Sequence, residues 1–311
     1  GSDNSARRVV RSGIRALVAE GPAGLTTVDI SAPATPAVVT TRTSLGGGTD
    51  VASARGYAYI TNAASGLRVV DVRNPGKLRV LRDDGSVPYA RGSVISGSYL
   101  YVAASASGLA IIDISDPEAP LAPSFVNTSG LSYDVDVSGG HAYLAEARIL
   151  SGANQLAVVD VGDPTQPGAP VYRSLSYYGY GVHVEEPYVY LAANSRMAVI
   201  DASDPAAPGA PSYRSLSGIA YRIWTSGGYS YVAVDSAGLA IVDTQVPLQP
   251  GTPSYVSLAG NAYDVFVDAP DAYVADGSAG FAILDVTDPI APGLPRYYDT
   301  AGLAKALSLE G

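Results

Sequence analysis

The chain has no cysteine in 311 residues. That removes disulfides, thiolate metal sites and cysteine nucleophiles together. It carries only two histidines, one tryptophan, one methionine and three phenylalanines. A zinc or iron centre built on a histidine set is therefore not expected, and neither a metal nor a cofactor is assigned. No G-x-S-x-G elbow and no Gly-rich phosphate loop leading into a helix occurs, and Gly46-Gly47-Gly48 falls between strands as a flexible turn. Charged residues are sparse at 15%, too few for a disordered solvating chain. The net charge is −10 with no basic run, which argues against nucleic acid and anionic membranes as partners. No apolar stretch approaches the roughly 18 residues of a membrane span, so no membrane insertion is expected.

What the chain has in quantity is hydrophobic surface, 47% of residues, together with 34 glycines and 22 tyrosines. Low charge, acidity and abundant Ser, Thr, Gly and Tyr predict an exported protein. The Gly1-Ser2 start without Met reads as an expression scar, and a trimmed targeting segment is the expectation.

One phrase recurs along the whole chain. It reads GLTTVD at 24–29, GLRVVD at 66–71, GLAIID at 108–113, QLAVVD at 155–160, RMAVID at 196–201, GLAIVD at 238–243 and GFAILD at 280–285. The closing aspartates, Asp29, Asp71, Asp113, Asp160, Asp201, Asp243 and Asp285, are spaced by 42, 42, 47, 41, 42 and 42. A period near 42 indicates a solenoid or a propeller. Within one period the runs 253–258 (PSYVSL), 263–267 (YDVFV), 272–275 (AYVA) and 281–286 (FAILDV) all read as short strands, bounded by Gly, Pro, Asp or Ser. No ten-residue stretch has helical periodicity, so helical repeats are excluded. Four strands per 42 residues is a propeller blade. The expected fold is all-β: a seven-bladed β-propeller of four-stranded antiparallel blades, one domain over 1–311.

The phrase GLAIVD (238–243), preceded by Tyr-Val-Ala as at 231–233 and followed in other copies by Ser-Asp-Pro as at 115–117 and 203–205, resembles the LVIVD-repeat family of propellers. The resemblance covers residues 6–311. It implies the propeller fold and an exported or surface-attached protein, and it implies no defined activity.

Residues 7–13 and 305–311 both align with the innermost strand of the first blade. Leu307 and Leu309 match the apolar positions of other blades, whereas the N-terminal copy places Arg11 opposite Leu309. The expectation is closure by the C-terminal strand, 305–311, with the first residues displaced.

Positions that recur in every repeat serve the blade, and positions that break the pattern are candidates for function. Tyr59, Tyr101, Tyr143, Tyr190, Tyr231 and Tyr273 share one column and read as packing, while the recurring aspartates and Asp-Pro pairs read as turn chemistry. One face should collect Tyr89, Tyr133, Tyr177, Tyr178, Tyr180, Tyr221 and Tyr263, with Glu20, Asn62, Glu146, Asn194, Asp235 and Asp276 from a second loop set. The departures concentrate in the fourth to sixth repeats: five extra residues in 146–155, then His183 and Glu185, then Arg222 and Trp224. His183, Trp224, Phe266 and Asp136 share a column, as do Arg222, Asp134, Asp264 and Asp50.

Two functions are weighed. A binding module would use Tyr133, Glu146, Tyr177, Tyr178, Tyr180, Tyr221, Trp224 and Tyr263 as ligand-binding residues, because tyrosine joins an apolar ring to a hydroxyl at low entropic cost. An enzyme acting on a small, partly apolar or aromatic substrate would use His183 as acid or base, with Glu185, and Arg222 to stabilise developing negative charge. Each residue also has a packing explanation: Trp224 filling space between blades, His183 as a bonded core histidine, Arg222 paired with Asp264 or Asp134. The partner is a small molecule or a protein at the channel mouth, and the protein is expected to be a monomer.

Overall fold

The strand that carries the repeat phrase begins where only glycine fits. Gly24, Gly66, Gly108, Gly238 and Gly280 all hold positive φ, between 77° and 99°. A Cβ on Gly108 would collide with the Val126 carbonyl oxygen, and one on Gly238 with that of Val256. The strand then runs buried on both faces, as in Leu109–Asp113 and Gly238–Asp243, where only the terminal aspartate reaches water. That is why the phrase is continuously apolar rather than alternating.

The computed structural model describes residues 5–6, 8–12, 14–19, 24–31, 37–45, 48–62, 66–74, 76–147, 154–277, 279–298 and 303–304. After β1 (Ser5–Ala6), the first sheet holds β2 (Arg8–Ser12), β3 (Arg15–Ala19), β4 (Leu25–Asp29) and β5 (Ala37–Arg42). The second holds β6 (Gly48–Ala54), β7 (Tyr57–Asn62), β8 (Gly66–Asp71) and β9 (Arg79–Asp84). The third holds β10 (Ser93–Ser96), β11 (Tyr99–Ala103), β12 (Leu109–Asp113) and β13 (Ser124–Val126). The fourth holds β14 (Leu131–Ser138), β15 (His141–Ala147), β16 (Asn154–Asp160) and β17 (Val171–Leu175). The next sheet has six strands: β18 (Gly179–Glu185), β19 (Tyr188–Asp201), β20 (Ser212–Ser226), β21 (Tyr229–Val234), β22 (Gly238–Asp243) and β23 (Ser254–Val256). The last has β24 (Asp264–Asp268), β25 (Asp271–Ala275), β26 (Phe281–Asp285) and β27 (Arg296–Tyr298), followed by β28 (Leu303–Ala304). Among the described residues no helix is long and apolar enough to cross a membrane.

The expectation of seven four-stranded blades is thereby corrected to six blade sheets, five of four strands and one of six. Two copies of the repeat share the larger sheet. The fifth copy opens with Arg196 in place of the glycine that opens five of the seven copies, and it is one residue shorter. β19 therefore runs unbroken from Tyr188 to Asp201. β20 then pairs β19 through Ser212–Ser215 and Ala220, and pairs β21 through Ala220–Ser226, so it joins two repeats that a chain reversal would have separated.

Closure is corrected as well. The innermost position of the first sheet is taken by β2, which pairs β3 from Arg8↔Ala19 to Ser12↔Arg15. The segment 305–311 expected there lies outside the described residues. β2 and β3 form a tight hairpin, whose closure costs far less chain entropy than bringing in a strand from the other end. The two ends meet instead through β1 and β28, paired in parallel as Ser5↔Leu303 and Ala6↔Ala304.

Apolar cores lie between neighbouring sheets. Leu67 and Val69 pack with Leu100, Val102 and Ile112, and Leu109 and Ile111 with Val135 and Leu144. Ala16, Val28 and Ile30 of the first sheet pack with Phe266, Tyr273 and Ile283 of the last, which closes the ring. The innermost strands contact one another in turn, β2 to β6, β10, β14, β18, β20 and β24.

Candidate functional site

The recurring aspartates are turn formers. Each accepts the amide two residues on: Ser31 to Asp29 at 2.8 Å, Arg73 to Asp71 at 3.1 Å, Ser115 to Asp113 at 2.7 Å and Gly162 to Asp160 at 2.9 Å. Ser203, Gln245 and Thr287 do the same for Asp201, Asp243 and Asp285, each at 2.9 Å. The hydroxyls of Ser31, Ser115, Ser203 and Thr287, and then those amides, hold Asp29, Asp113, Asp201 and Asp285 below the usual carboxylate range, and the aspartates serve the turns.

The inner strands build three tiers. The first is tyrosine. Register shifts in β6 between Gly48 and Asp50, in β14 between Ser132 and Asp134, in β18 between Gly179 and Gly181, and in β20 between Ala220 and Arg222 place one extra residue at the same point of each strand. Three of those residues are Tyr133, Tyr180 and Tyr221. A bulge re-aims the side chain it carries. Here the rings line up strand after strand: Tyr133 to Tyr180 at 5.7 Å edge to face, Tyr180 to Tyr221 at 5.9 Å, and Tyr221 to Tyr263 at 5.2 Å. The Arg91 guanidinium caps the array 4.3 Å above the Tyr133 ring. All four rings are half-buried, and burial pushes the Tyr180 and Tyr221 hydroxyls up.

The second tier is ionic. Arg222 of β20 bridges two buried carboxylates, Asp134 of β14 through Nη1 and Asp264 of β24 at 3.3 Å through Nε. The span passes Gly181, where a Cβ would stand 3.2 Å from Arg222 Cδ and 2.8 Å from the Tyr221 oxygen. Asp134 also accepts the Val182 amide at 2.9 Å, and Asp50 likewise accepts the Ser93 amide and, at 2.8 Å, its hydroxyl. The column that reads Asp in three repeats is thus a strap from one inner strand to the next.

The third tier is aromatic. His183 stacks on Trp224 with ring centres 4.1 Å apart, and Trp224 meets Phe266 at 4.5 Å. Asp136 lies 3.2 Å from His183 Nδ1 and accepts the Val184 amide at 2.9 Å. Side-chain exposure is 14% for His183 and 16% for Arg222.

The other candidates are dispersed. Glu146 is fully buried within the fourth sheet. It accepts from Thr128, from Ser132 at 2.7 Å and from Gln155 at 2.7 Å, away from the tyrosine array. Tyr177 packs edge on against Tyr213 at 5.4 Å, under the Arg196 guanidinium at 4.8 Å, and Tyr178 is exposed. Glu185 is exposed at the end of β18, opposite Tyr188. Tyr89 is exposed with φ of 54°, and Asp276 is buried and accepts the Gly260 amide at 2.9 Å. Glu20 and most of the inserted loop, 148–153, lie outside the described residues.

Sequence reasoning missed a second tyrosine column. Tyr172, Tyr213, Tyr255 and Tyr297 on the outer strands take the amides of Ser129, Ser176, Ser217 and Ala259 at 2.9–3.1 Å. Arginines on outer strands donate to carbonyls of the neighbouring repeat, Arg42 to Leu78, Arg82 to Pro120, Arg173 to Pro208 and Arg214 to Pro250. The tyrosine spacings of 41, 42 and 42 were the available signal.

Among solved structures the chain is similar to the computationally designed Ika8 protein (TM-score 0.69, 10% identity, 98% of this chain, 90% of that one). It is similar to PorZ of Porphyromonas gingivalis, described as a surface component of the type-IX secretion system (TM-score 0.66, 15% identity, 96% of this chain, 39% of that one). It also resembles BamB of Moraxella catarrhalis (TM-score 0.58, 14% identity, 86% of this chain, 79% of that one). At such identities the likeness shows the propeller fold alone. No curated protein matches the chain by sequence. The profile of the LVIVD repeat matches seven times, at residues 4–43, 46–81, 89–128, 129–169, 178–211, 217–258 and 259–300. A repeat profile that covers most of the chain, on a ring of antiparallel sheets, places this protein in the LVIVD-repeat family.

Proposed function

We propose that the chain is an exported or surface-associated binding module, a single propeller domain whose tyrosine-lined channel mouth receives a small molecule or a protein partner. The observation that carries this reading is the unbroken array of Tyr133, Tyr180, Tyr221 and Tyr263. Their rings stay half-buried, and each joins an apolar ring to a hydroxyl. Four adjacent aromatic rings on rigid inner strands offer stacking area at little entropic cost, which suits sugars, aromatic metabolites and protein side chains. Export is supported by the acidic, charge-poor composition and by the surface location given for PorZ.

The test is a thermal-shift screen with sugars and aromatic metabolites, run on the wild type and on Tyr180→Ala/Tyr221→Ala. A ligand at a hundredfold excess over Kd adds about 2.7 kcal/mol to the stability of the native state. The expected result is a rise in Tm that the double variant loses. A rise that persists in the variant, or none with any compound and no partner captured through this face, sinks the reading.

Acid–base catalysis is the second reading, favoured by the contact of Asp136 with His183 Nδ1 at 3.2 Å, the arrangement by which a carboxylate orients a general base. It is weakened by the stacking of that imidazole on Trp224 and by the two carboxylates that already balance Arg222.

A further inference from the structure

Positive charge is unevenly placed along this acidic chain. Residues 1–91 carry twelve of the 19 Lys and Arg against seven of the 29 Asp and Glu, a net of +5. Residues 92–311 carry seven against 22, a net of −15. Four of the twelve cations line one cleft of about 700 Å³ between the end of β5 and the turn from β8 to β9. They are Arg42, Arg73, Lys77 and Arg79, with Asp71 and Asn74 as the other polar lining. That volume lies within the range of small-molecule sites.

The carboxylates nearby do not cancel this charge. Asp71 takes Arg73 through Nε at 3.0 Å and Nη2 at 2.7 Å, and reaches Arg79 at 3.6 Å. Glu118 reaches Arg73 at 3.3 Å and Arg79 at 3.6 Å. Among the described residues, two carboxylates thus face the four cations of the cleft, a local charge of +2. The paired carboxylates hold the Arg73 fork in place, and the bond from Arg42 Nη1 to the Leu78 carbonyl fixes a second guanidinium on the opposite wall. Lys77 is exposed beside them. Guanidinium groups held in place, with the exposed Arg79 guanidinium and Lys77 ammonium beside them, are the donor types that recognise a tetrahedral oxyanion.

We propose that this cleft binds a dianionic phosphate group, either free or as the ester of a small metabolite. The site is separate from the tyrosine array and does not depend on the function proposed for it.

The experiment is isothermal titration at low ionic strength with inorganic phosphate, glucose 6-phosphate and glucose. Three proteins are compared: the wild type, Lys77→Ala/Arg79→Ala and Tyr180→Ala/Tyr221→Ala. Lys77 and Arg79 are exposed, so their removal leaves folding intact, and the single variant Lys77→Gln serves if the double does not fold. The expected result is binding of phosphate or its ester but not of glucose, weakened about tenfold or more in the cleft variant and unchanged in the tyrosine variant. Tighter binding of glucose 6-phosphate identifies an ester as the ligand, and equal binding identifies the free anion. No heat with either phosphate compound, or equal affinity in the cleft variants and the wild type, overturns the proposal.

Discussion

A single methyl group separates two classes of glycine in this protein. Gly238 and Gly227 both hold positive φ, 83° and 61°. A Cβ at Gly238 meets the Val256 carbonyl and stands 3.1 Å from the Leu258 amide nitrogen, whereas one at Gly227 meets nothing within 4 Å. Gly227→Ala should cost about 1 kcal/mol, the strain of a left-handed alanine. Gly238→Ala should cost about 2–3 kcal/mol, because the steric collision adds to that strain and can be relieved only by moving β22 from β23. Urea denaturation of the two variants checks the difference. Equal losses would mean that the start of the repeat phrase tolerates a side chain, contrary to the contacts described.

At the scale of strands, the inner tiers act as ties between neighbouring repeats. Arg222 joins β14, β20 and β24 by spanning two carboxylates that are themselves buried. Arg222→Ala removes the guanidinium that both buried carboxylates share, and should destabilise the fold by about 3–5 kcal/mol at neutral pH. Protonation relieves the charge left on two buried carboxylates. Part of the stability lost at neutral pH should therefore return in acid. The check is the pH dependence of Tm for the variant against the wild type. A loss that does not diminish in acid would show that Arg222 acts by packing alone. Much of this was legible from the repeats. The shared column of Asp50, Asp134, Arg222 and Asp264 was visible, and so was that of Asp136, His183, Trp224 and Phe266. What the columns could not reveal was direction, because a bulge in four of the inner strands turns one residue out of strict alternation. The bulge puts Tyr133, Tyr180 and Tyr221 in one array, while Glu146, grouped with them from loop position, accepts from the Ser132 hydroxyl and the Gln155 amide of its own sheet.

For the whole molecule, six of the seven repeats place a tyrosine on the second strand, where the first has Leu17. Burial raises the hydroxyls of Tyr59, Tyr101, Tyr143, Tyr190 and Tyr231, with Tyr59 and Tyr231 pushed to about 12 from an ordinary value of 10.0. A hydroxyl with a raised folded-state pKa contributes stability that is complete below the unfolded value and is lost as pH rises through the folded one. Cooperative unfolding should therefore set in between pH 10 and about 12, together with a late step of tyrosinate absorbance. All tyrosines titrating near pH 10 while the far-ultraviolet dichroism stays intact would contradict this placement of the column.

The sequence by itself determined the repeat, the all-β class, the turn role of the recurring aspartates and the packing role of the second-strand tyrosines. These follow from short-range chemistry: an Asx bond spans two residues, a strand shows its burial in its own pattern, and duplication writes both at a fixed period. Only the tertiary structure decided the number of sheets, the closure and the neighbours across sheets. Whether β19 and β20 end or continue depends on pairing with strands in adjacent repeats, and β2 takes the inner position because a hairpin closes more cheaply than a contact between chain ends. The cationic cleft shows the same division. The sequence holds no basic run, yet folding brings Arg42 of one repeat against Arg73, Lys77 and Arg79 of the next, because a propeller places the outer strand of each repeat against the following one.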